Sequence, residues 1–433
     1  MPRAEAGFEA IGTLWSIDTP APLADSTLDR VRAVVDAYDR VWSRFRADSV
    51  VSRMAREGGT HDLPTHAAEL LDLYDVLEER TRGAVTPLVG RSLERLGYDA
   101  TYRLRPDGTP LAVRSGTRTR DVLTRHVRDG QGLTVTAARP VLLDVGAAGK
   151  GQLVDLVAAE LRACGVGEYL VDAGGDMLHR GPHVVRVGLQ VPGDPGRVLG
   201  VVELRDAALC ASAVDRRSWG DGLHHVLDAR TGAPTQGVVA TWVVAERAMV
   251  ADGLATALFL ADADVLQGVA EHTYVQLHAD SRARVALALP GEVFAARLRP
   301  TQQRVQPVDE RHGRGRAVGG GADEVPRRLP DRAGPVLTDA AAHQAAGAQP
   351  DDEDHAHGQL DVVASDLRDR DGHGDHEQDQ DPQQDGDRPD AVRGAHLRPA
   401  DHRLVEEARQ RGSPHALVLP GGTHPPGAGA PGG

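Results

Sequence analysis

The feature that most constrains this chain is a break in composition near residue 300. Before it, apolar residues recur at helix and strand periods and aromatic residues are spread along the sequence. After Phe294 there is no aromatic residue, no Met, no Cys and no Ile. The run from Asp351 to Asp390 is charged and low in complexity, and the chain closes on PPGAGAPGG. Such a stretch buries too little apolar surface to offset the entropy of ordering it. The sequence therefore predicts a folded body over 1–298 and a disordered tail over 299–433. A shifted reading frame in GC-rich DNA would produce the same tail. Its histidines, among them His355, His357, His373 and His376, are spaced too irregularly to specify a metal site.

Charge and length narrow the function classes. The net charge of -14 over 433 residues argues against nucleic acid as the main partner, because phosphate backbones need a basic face. No stretch approaches the ~20 apolar residues of a transmembrane helix. The first twenty residues lack the apolar core of a secretory signal. Cys164 and Cys210 are too few for a disulfide framework and read as small core residues. The location expected on these grounds is cytoplasmic.

The body reads as α+β. Val31, Val34, Val35, Tyr38 and Val41 form a helical stripe over Asp29 to Arg44, and Leu70, Leu71, Tyr74 and Leu77 form another over Ala67 to Arg82. A third helix is predicted over Gln152 to Ala163. VLLDV (141–145), EYLVDA (168–173), VVRVGLQV, VLGVVEL and VVATWVVA read as strands. Helices followed by a run of strands favour mixed or antiparallel sheets flanked by helices over a doubly wound sheet.

Four segments carry candidate chemistry. Asp144-Val-Gly-Ala-Ala-Gly-Lys-Gly151 precedes a helix and contains the only lysine of the chain. Glycines at a helix N-terminus let backbone amides approach an anion, and Lys150 adds a full charge. The segment is neither a Walker A loop, since Gly151 stands where a Ser or Thr is needed, nor a dinucleotide fingerprint. A tight turn into a helix would look the same. In Val171-Asp-Ala-Gly-Gly-Asp176, Asp176 either orients a ligand or caps the turn. In His224-His-Val-Leu-Asp-Ala-Arg-Thr-Gly232, strand alternation allows at most one of the two histidines to face a site. In Ala251-Asp-Gly-Leu-Ala-Thr256, Asp252 and Thr256 share a helix face and suit Mg²⁺, although an Asp cap at a helix start remains open.

Taken in order, these segments resemble the FAD:protein FMN transferases of the ApbE family. That family shows Asp-x-Gly-x-x-Ala/Gly-Lys-Gly, Asn-Ala-Gly-Gly-Asp, His-x-Ile/Leu-Asp-Pro-x-Thr-Gly and Ala-Asp-x-x-Ala-Thr-Ala. Upstream, Ile11-Gly-Thr13, the Ser43 to Arg53 run, Thr86-Pro-Leu-Val89 and Leu96-Gly-Tyr98 look like further family segments, and Cys210-Ala-Ser-Ala213 stands in the place of Ala-Thr-Ser-Gly. The likeness spans about 8–295. Departures are Ile11 for Met, Asp172 for Asn, Ala213 for Gly, Ala229 for Pro, and Leu96 where an aromatic is common.

The resemblance implies an ApbE-like fold and a Mg²⁺-dependent transferase. Such an enzyme cleaves FAD, links FMN through a phosphoester to a Thr or Ser of an acceptor protein with an FMN-binding type domain, and releases AMP. It implies FAD contacts at Ile11, Phe45, Leu96, Gly97, Tyr98, Asp144, Lys150 and Val226. It implies a metal set of Ala147, Asp252, Ala255 and Thr256, and catalytic roles for His225 and Asp252. The family's usual lipoprotein signal and lipidation cysteine are not seen in this sequence. The alternatives are an FAD diphosphatase giving FMN and AMP, a non-catalytic FAD carrier, and a nucleotide triphosphatase, the last disfavoured by Gly151.

Overall fold

The stripe ending near Arg44 becomes helix α1 (Asp25–Trp42), with Val31, Val35, Tyr38 and Trp42 buried along one face. A computed structural model describes residues 4–128, 132–294, 359–363 and 416–419. Three more helices frame the site: α2 (Ala67–Arg80), α3 (Gly149–Ala163) and α4 (Ala248–Ala257). No helix among the described residues is long and apolar enough to cross a membrane.

The helices cover one face of a nine-stranded sheet. Its strands are β1 (Ala4–Ala10), β2 (Thr13–Thr19), β3 (Tyr169–Asp172), β4 (Asp176–Arg180), β7 (Ala208–Ala213), β8 (Val238–Ala245), β9 (His272–His278), β10 (Arg282–Ala286) and β12 (Gln359–Val363), in that spatial order. A four-stranded sheet contains β5 (Val185–Val191), β6 (Asp194–Leu204), β11 (Gly291–Val293) and β13 (Ala416–Leu419), in the order β11-β6-β5-β13. Every pairing in both sheets is antiparallel.

Strand alternation explains the two cores. Val171, Leu178, Cys210 and Val243 point to the helices, where they meet Leu70, Leu77, Leu153, Val157 and Leu254. Their chain neighbours Leu170, Met177, Leu209 and Trp242 belong to a second core with Val187, Leu189 and Val202 of the smaller sheet. Burying each such side chain contributes ~1.5–3 kcal/mol before entropy is counted. Of the two cysteines, Cys210 is buried and Cys164 is only partly so.

One expectation needs revision. VLLDV (141–145) is not a strand. Leu142 and Leu143 are buried, but Val141 N–H donates to the Met54 carbonyl (3.3 Å) and Asp144 N–H to the Pro87 carbonyl (2.8 Å), so the extended run joins no ladder. An apolar run signals burial, and here carbonyls of the short helices Val50–Glu57 and Pro87–Val89, not of a strand, take its amides. Within the stretch expected to be a disordered tail, the described pieces 359–363 and 416–419 are strands pairing with β10 and β5. The remainder of that expectation lies outside the described residues.

The contact between α3 and α4 sets the site. Arg247, at the start of α4, provides no side-chain cap. The Asp155 carboxylate of α3 replaces it, accepting from Ala248 N–H at 2.9 Å and Met249 N–H at 3.1 Å. A carboxylate at a helix N-terminus also opposes the helix dipole.

Candidate active site

Residues distant in sequence line one cavity of about 590 Å³. Of the residues singled out in the sequence, Ile11, Phe45, Tyr98, Asp144, Ala147, Lys150, His225, Val226, Asp252 and Thr256 lie on its wall. Leu96, Gly97 and Ala255 do not. Leu96 is buried behind the wall, and its carbonyl accepts the Trp219 indole N–H at 2.9 Å. Gly97 has φ of +93°, and a Cβ there would come within 2.4 Å of the Arg105 backbone, so it serves the turn of its loop. Ala255 is fully buried, and its carbonyl accepts the Thr241 hydroxyl at 2.7 Å.

The glycine-rich segment is a tight approach to a helix rather than a free loop. Asp144 is held by Arg44, whose Nε donates to Oδ2 at 2.5 Å, and by Gly146 N–H at 2.8 Å to Oδ1. Burial raises the Asp144 pKa, but Arg44 and the Gly146 amide hold the carboxyl below its usual range. Lys150 reaches Asp176, whose side chain is fully buried. Burial opposes the charge on Lys150, yet Asp176 and Asp252 leave its pKa raised. Asp176 therefore neither caps its turn nor stands free. Its Oδ1 has no partner among the described residues. The neighbouring turn is closed by Asp172, which accepts from Gly175 N–H at 2.8 Å.

Asp252 sits inside α4, not at its cap. Its Oδ2 accepts from Gly151 N–H of α3 at 2.9 Å. Burial, then the like charge of Asp176, pushes its pKa well above the ordinary carboxylate range. One turn further, the Thr256 hydroxyl lies 3.4 Å from the Ala147 carbonyl oxygen. A carboxylate, a hydroxyl and a carbonyl are the hard oxygen donors that Mg²⁺ prefers, and the crowding of Asp252 and Asp176 would be relieved by a cation. The residues present thus fit such an ion. No three His, Cys, Asp or Glu side chains gather as a metal cluster among the described residues.

The two adjacent histidines divide as strand alternation requires. His224 is buried, with Nε2 3.1 Å from the Thr235 carbonyl and Nδ1 accepting from Val226 N–H at 3.3 Å. That pairing fixes its tautomer and leaves it structural. His225 lines the cavity, and its Nδ1 has no partner among the described residues. Burial, followed by the charges of Arg217 and His224, pushes its pKa down to about 3, so the imidazole is neutral at pH 7.

Part of the wall is aromatic. Phe45 and Tyr102 stack with centroids 5.1 Å apart, and Tyr98 stacks on Trp219 at 5.4 Å. The Arg44 guanidinium lies 4.3 Å from the Phe45 centroid and donates from Nη1 to the Tyr98 carbonyl at 2.6 Å. Ile11 and Gly12 form the two-residue turn between β1 and β2 with φ of 46° and 74°, as a type I′ hairpin requires. A β-branched residue in that region is strained, and here it lines the cavity. Sequence reasoning missed Arg44, Tyr102, Arg216, Arg217 and Trp219. For Arg216 and Arg217 the available signal was their adjacency just upstream of Trp219.

Comparison with known proteins gives a consistent family. The sequence model described as the ApbE family matches residues 11–279. The chain is 29% identical over 313 residues to the FAD:protein FMN transferase of Rhodobacter capsulatus, covering 68% of this chain and 57% of that protein. It is 26% identical over 280 residues to the FAD:protein FMN transferase of Klebsiella pneumoniae, covering 60% of this chain and 79% of that one. Among solved structures, the ApbE protein of Thermotoga maritima superposes with a TM-score of 0.55 at 23% identity, covering 64% of this chain and 94% of that one. The flavin transferase ApbE of Vibrio cholerae does so with a TM-score of 0.51 at 22% identity and the same coverage.

Proposed function

The chain belongs to the ApbE family, and from that premise we propose that it is a flavinyltransferase that moves FMN from FAD onto a Thr or Ser hydroxyl of an acceptor flavoprotein. The observation that carries this reading is the cavity itself. It combines an aromatic wall, a neutral histidine and a set of hard oxygen donors drawn from all parts of the folded body. A second substrate must reach the same space, and the acceptor's FMN-binding domain is its natural source.

Phe45, Tyr98, Ile11 and Val226 offer apolar and aromatic surface for the isoalloxazine ring. Asp144, held by Arg44, presents a carboxylate acceptor to the flavin side of the nucleotide. Asp252, Thr256 and the Ala147 carbonyl would hold Mg²⁺, and Lys150 adds positive charge beside the diphosphate. A bound ion would supply neutralising charge for the diphosphate and the departing AMP. The acceptor oxygen forms a bond to the phosphorus on the FMN side while the phosphoanhydride bond breaks and its electron pair leaves with AMP. His225 takes the hydroxyl proton. A positioned base contributes about 10²–10⁴-fold. The low ligand-free pKa of His225 keeps it in the accepting form, and a dianionic diphosphate nearby raises that pKa toward the range where a base works best.

The deciding experiment is intact mass spectrometry of an acceptor domain after incubation with the protein, FAD and Mg²⁺. A gain of one FMN moiety, lost in Asp252→Ala, supports the reading. Free FMN and AMP without any gain in acceptor mass would assign a diphosphatase instead.

A further inference from the structure

Several cationic side chains line the cavity, and they differ in what already holds them. Arg44 is committed to Asp144 and the Tyr98 carbonyl. Arg46 pairs with Asp39 at 3.1 Å and Asp48 at 2.9 Å. Lys150 is paired with Asp176. Arg216 donates to the Gln190 side chain at 2.9 Å and lies 3.8 Å from Asp215. Arg217 also lines the cavity, and among the described residues its guanidinium has no hydrogen-bond or ion-pair partner.

The position of Arg217 is nevertheless fixed. It immediately precedes a short hairpin in which Ser218–Trp219 pairs with Leu223–His224. The Arg217 carbonyl accepts from His225 N–H at 3.1 Å, so Arg217 and the cavity histidine are cross-strand neighbours. Trp219 anchors the hairpin to the aromatic wall by stacking on Tyr98 and donating to the Leu96 carbonyl. The hairpin thus carries a guanidinium with no partner among the described residues beside the histidine. Its charge is felt by Tyr98, Asp144, Lys150, His225 and Asp252, which surround the site.

A part-buried guanidinium with no protein anion among the described residues is poised for an anionic ligand. The planar fork of arginine matches two oxygens of one phosphate, and such charge-assisted bonds are about twice as strong as neutral ones. Resting on the flavinyltransferase reading, we propose that Arg217 is a substrate-contacting residue whose guanidinium grips non-bridging oxygens of the FAD diphosphate. Each of the other cavity cations already holds a group of the protein itself, whereas among the described residues the Arg217 guanidinium holds none and adds its whole fork to the charge that Lys150 brings to the diphosphate. Once the diphosphate engages Arg217, the repulsion that this guanidinium exerts on protonated His225 falls, which ties base strength to substrate occupancy.

The test compares wild type, Arg217→Gln and Arg217→Lys in the full chain, reading FAD and riboflavin binding by flavin fluorescence, acceptor flavinylation by mass, and the thermal midpoint. Arg217→Gln is expected to weaken FAD binding by about tenfold or more and slow transfer by about 10²–10³-fold. Riboflavin, which lacks phosphate, should bind Arg217→Gln as it binds wild type, with an unchanged midpoint. Arg217→Lys should recover part of the FAD affinity. FAD affinity in Arg217→Gln equal to wild type, or an equal loss for FAD and riboflavin, overturns the proposal. If wild type itself fails to bind FAD, the flavinyltransferase reading falls first, and that outcome is visible before any variant is measured.

Discussion

The Gly151 amide donates to the Asp252 carboxylate at 2.9 Å across the contact between α3 and α4, and a Cβ on Gly151 would lie 2.1 Å from the Ala248 carbonyl oxygen. The residue that rules out a Walker A loop is therefore the one that lets the helices close and aims the carboxylate. Gly151→Ala has backbone against it, which cannot yield as a side-chain tip would. It should cost about 1–3 kcal/mol, as overpacked cores do. Urea titration of the variant checks this, and an unchanged midpoint would show that the helices separate freely.

Asp252→Asn tests the metal separately from the fold. The amide oxygen still accepts from Gly151, while the charge that would grip Mg²⁺ is gone. Transfer should fall on the order of 10²-fold or more, comparable to losing a principal electrostatic contact. EDTA should abolish wild-type transfer, and added Mg²⁺ should restore it. Full activity in EDTA would remove the ion from the reaction.

The sequence made parts of this arrangement readable and hid others. Helix and strand periods followed burial, so α1, α2, α3 and most strands were legible. The same signal misread 141–145, because Leu142 and Leu143 are buried without a strand partner while their neighbours' amides donate to the Met54 and Pro87 carbonyls of short helices. The alternation rule separated His224 from His225, since it needs only local geometry. Linear order did not reveal that Asp144 is tied to Arg44, or that Lys150 is tied to Asp176, because those pairs form only after the chain folds. Leu96, Gly97 and Ala255 sit within two residues of cavity residues in sequence but do not line the cavity. Adjacency in a motif does not tell which way a residue faces.

The aromatic wall predicts a selective loss of flavin affinity. Phe45 is only partly buried, stacks on Tyr102 and meets Tyr98 edge-on at 5.3 Å. Phe45→Ala removes a ring face from the cavity without opening the main core. FAD binding should weaken about tenfold, in line with ~0.5–1.5 kcal/mol for an aromatic pair plus lost contact area. Riboflavin should lose as much as FAD, because the ring and not the phosphate is affected. Undiminished riboflavin binding would place the isoalloxazine elsewhere.

His225 yields a pH dependence whose sign follows from its environment. Burial, Arg217, His224 and Lys150 disfavour its protonated form, lowering the folded pKa to about 3. In the unfolded chain a histidine titrates near 6.5. Between those values the unfolded state binds more protons, so stability rises with pH across the window and levels off above about 6.5. Acidification from pH 7 to 5 should therefore destabilise wild type by about 1–2 kcal/mol more than His225→Gln. His66, also lowered by burial, acts alike in both proteins and cancels from the comparison. Saturating FAD should shrink the difference, because the diphosphate favours the charged imidazole. His225→Gln should also slow transfer by about 10²–10⁴-fold while FAD affinity changes little. Denaturant titrations at both pH values provide the check. Parallel pH slopes in the two proteins would mean that this imidazole is as well solvated as in the unfolded chain.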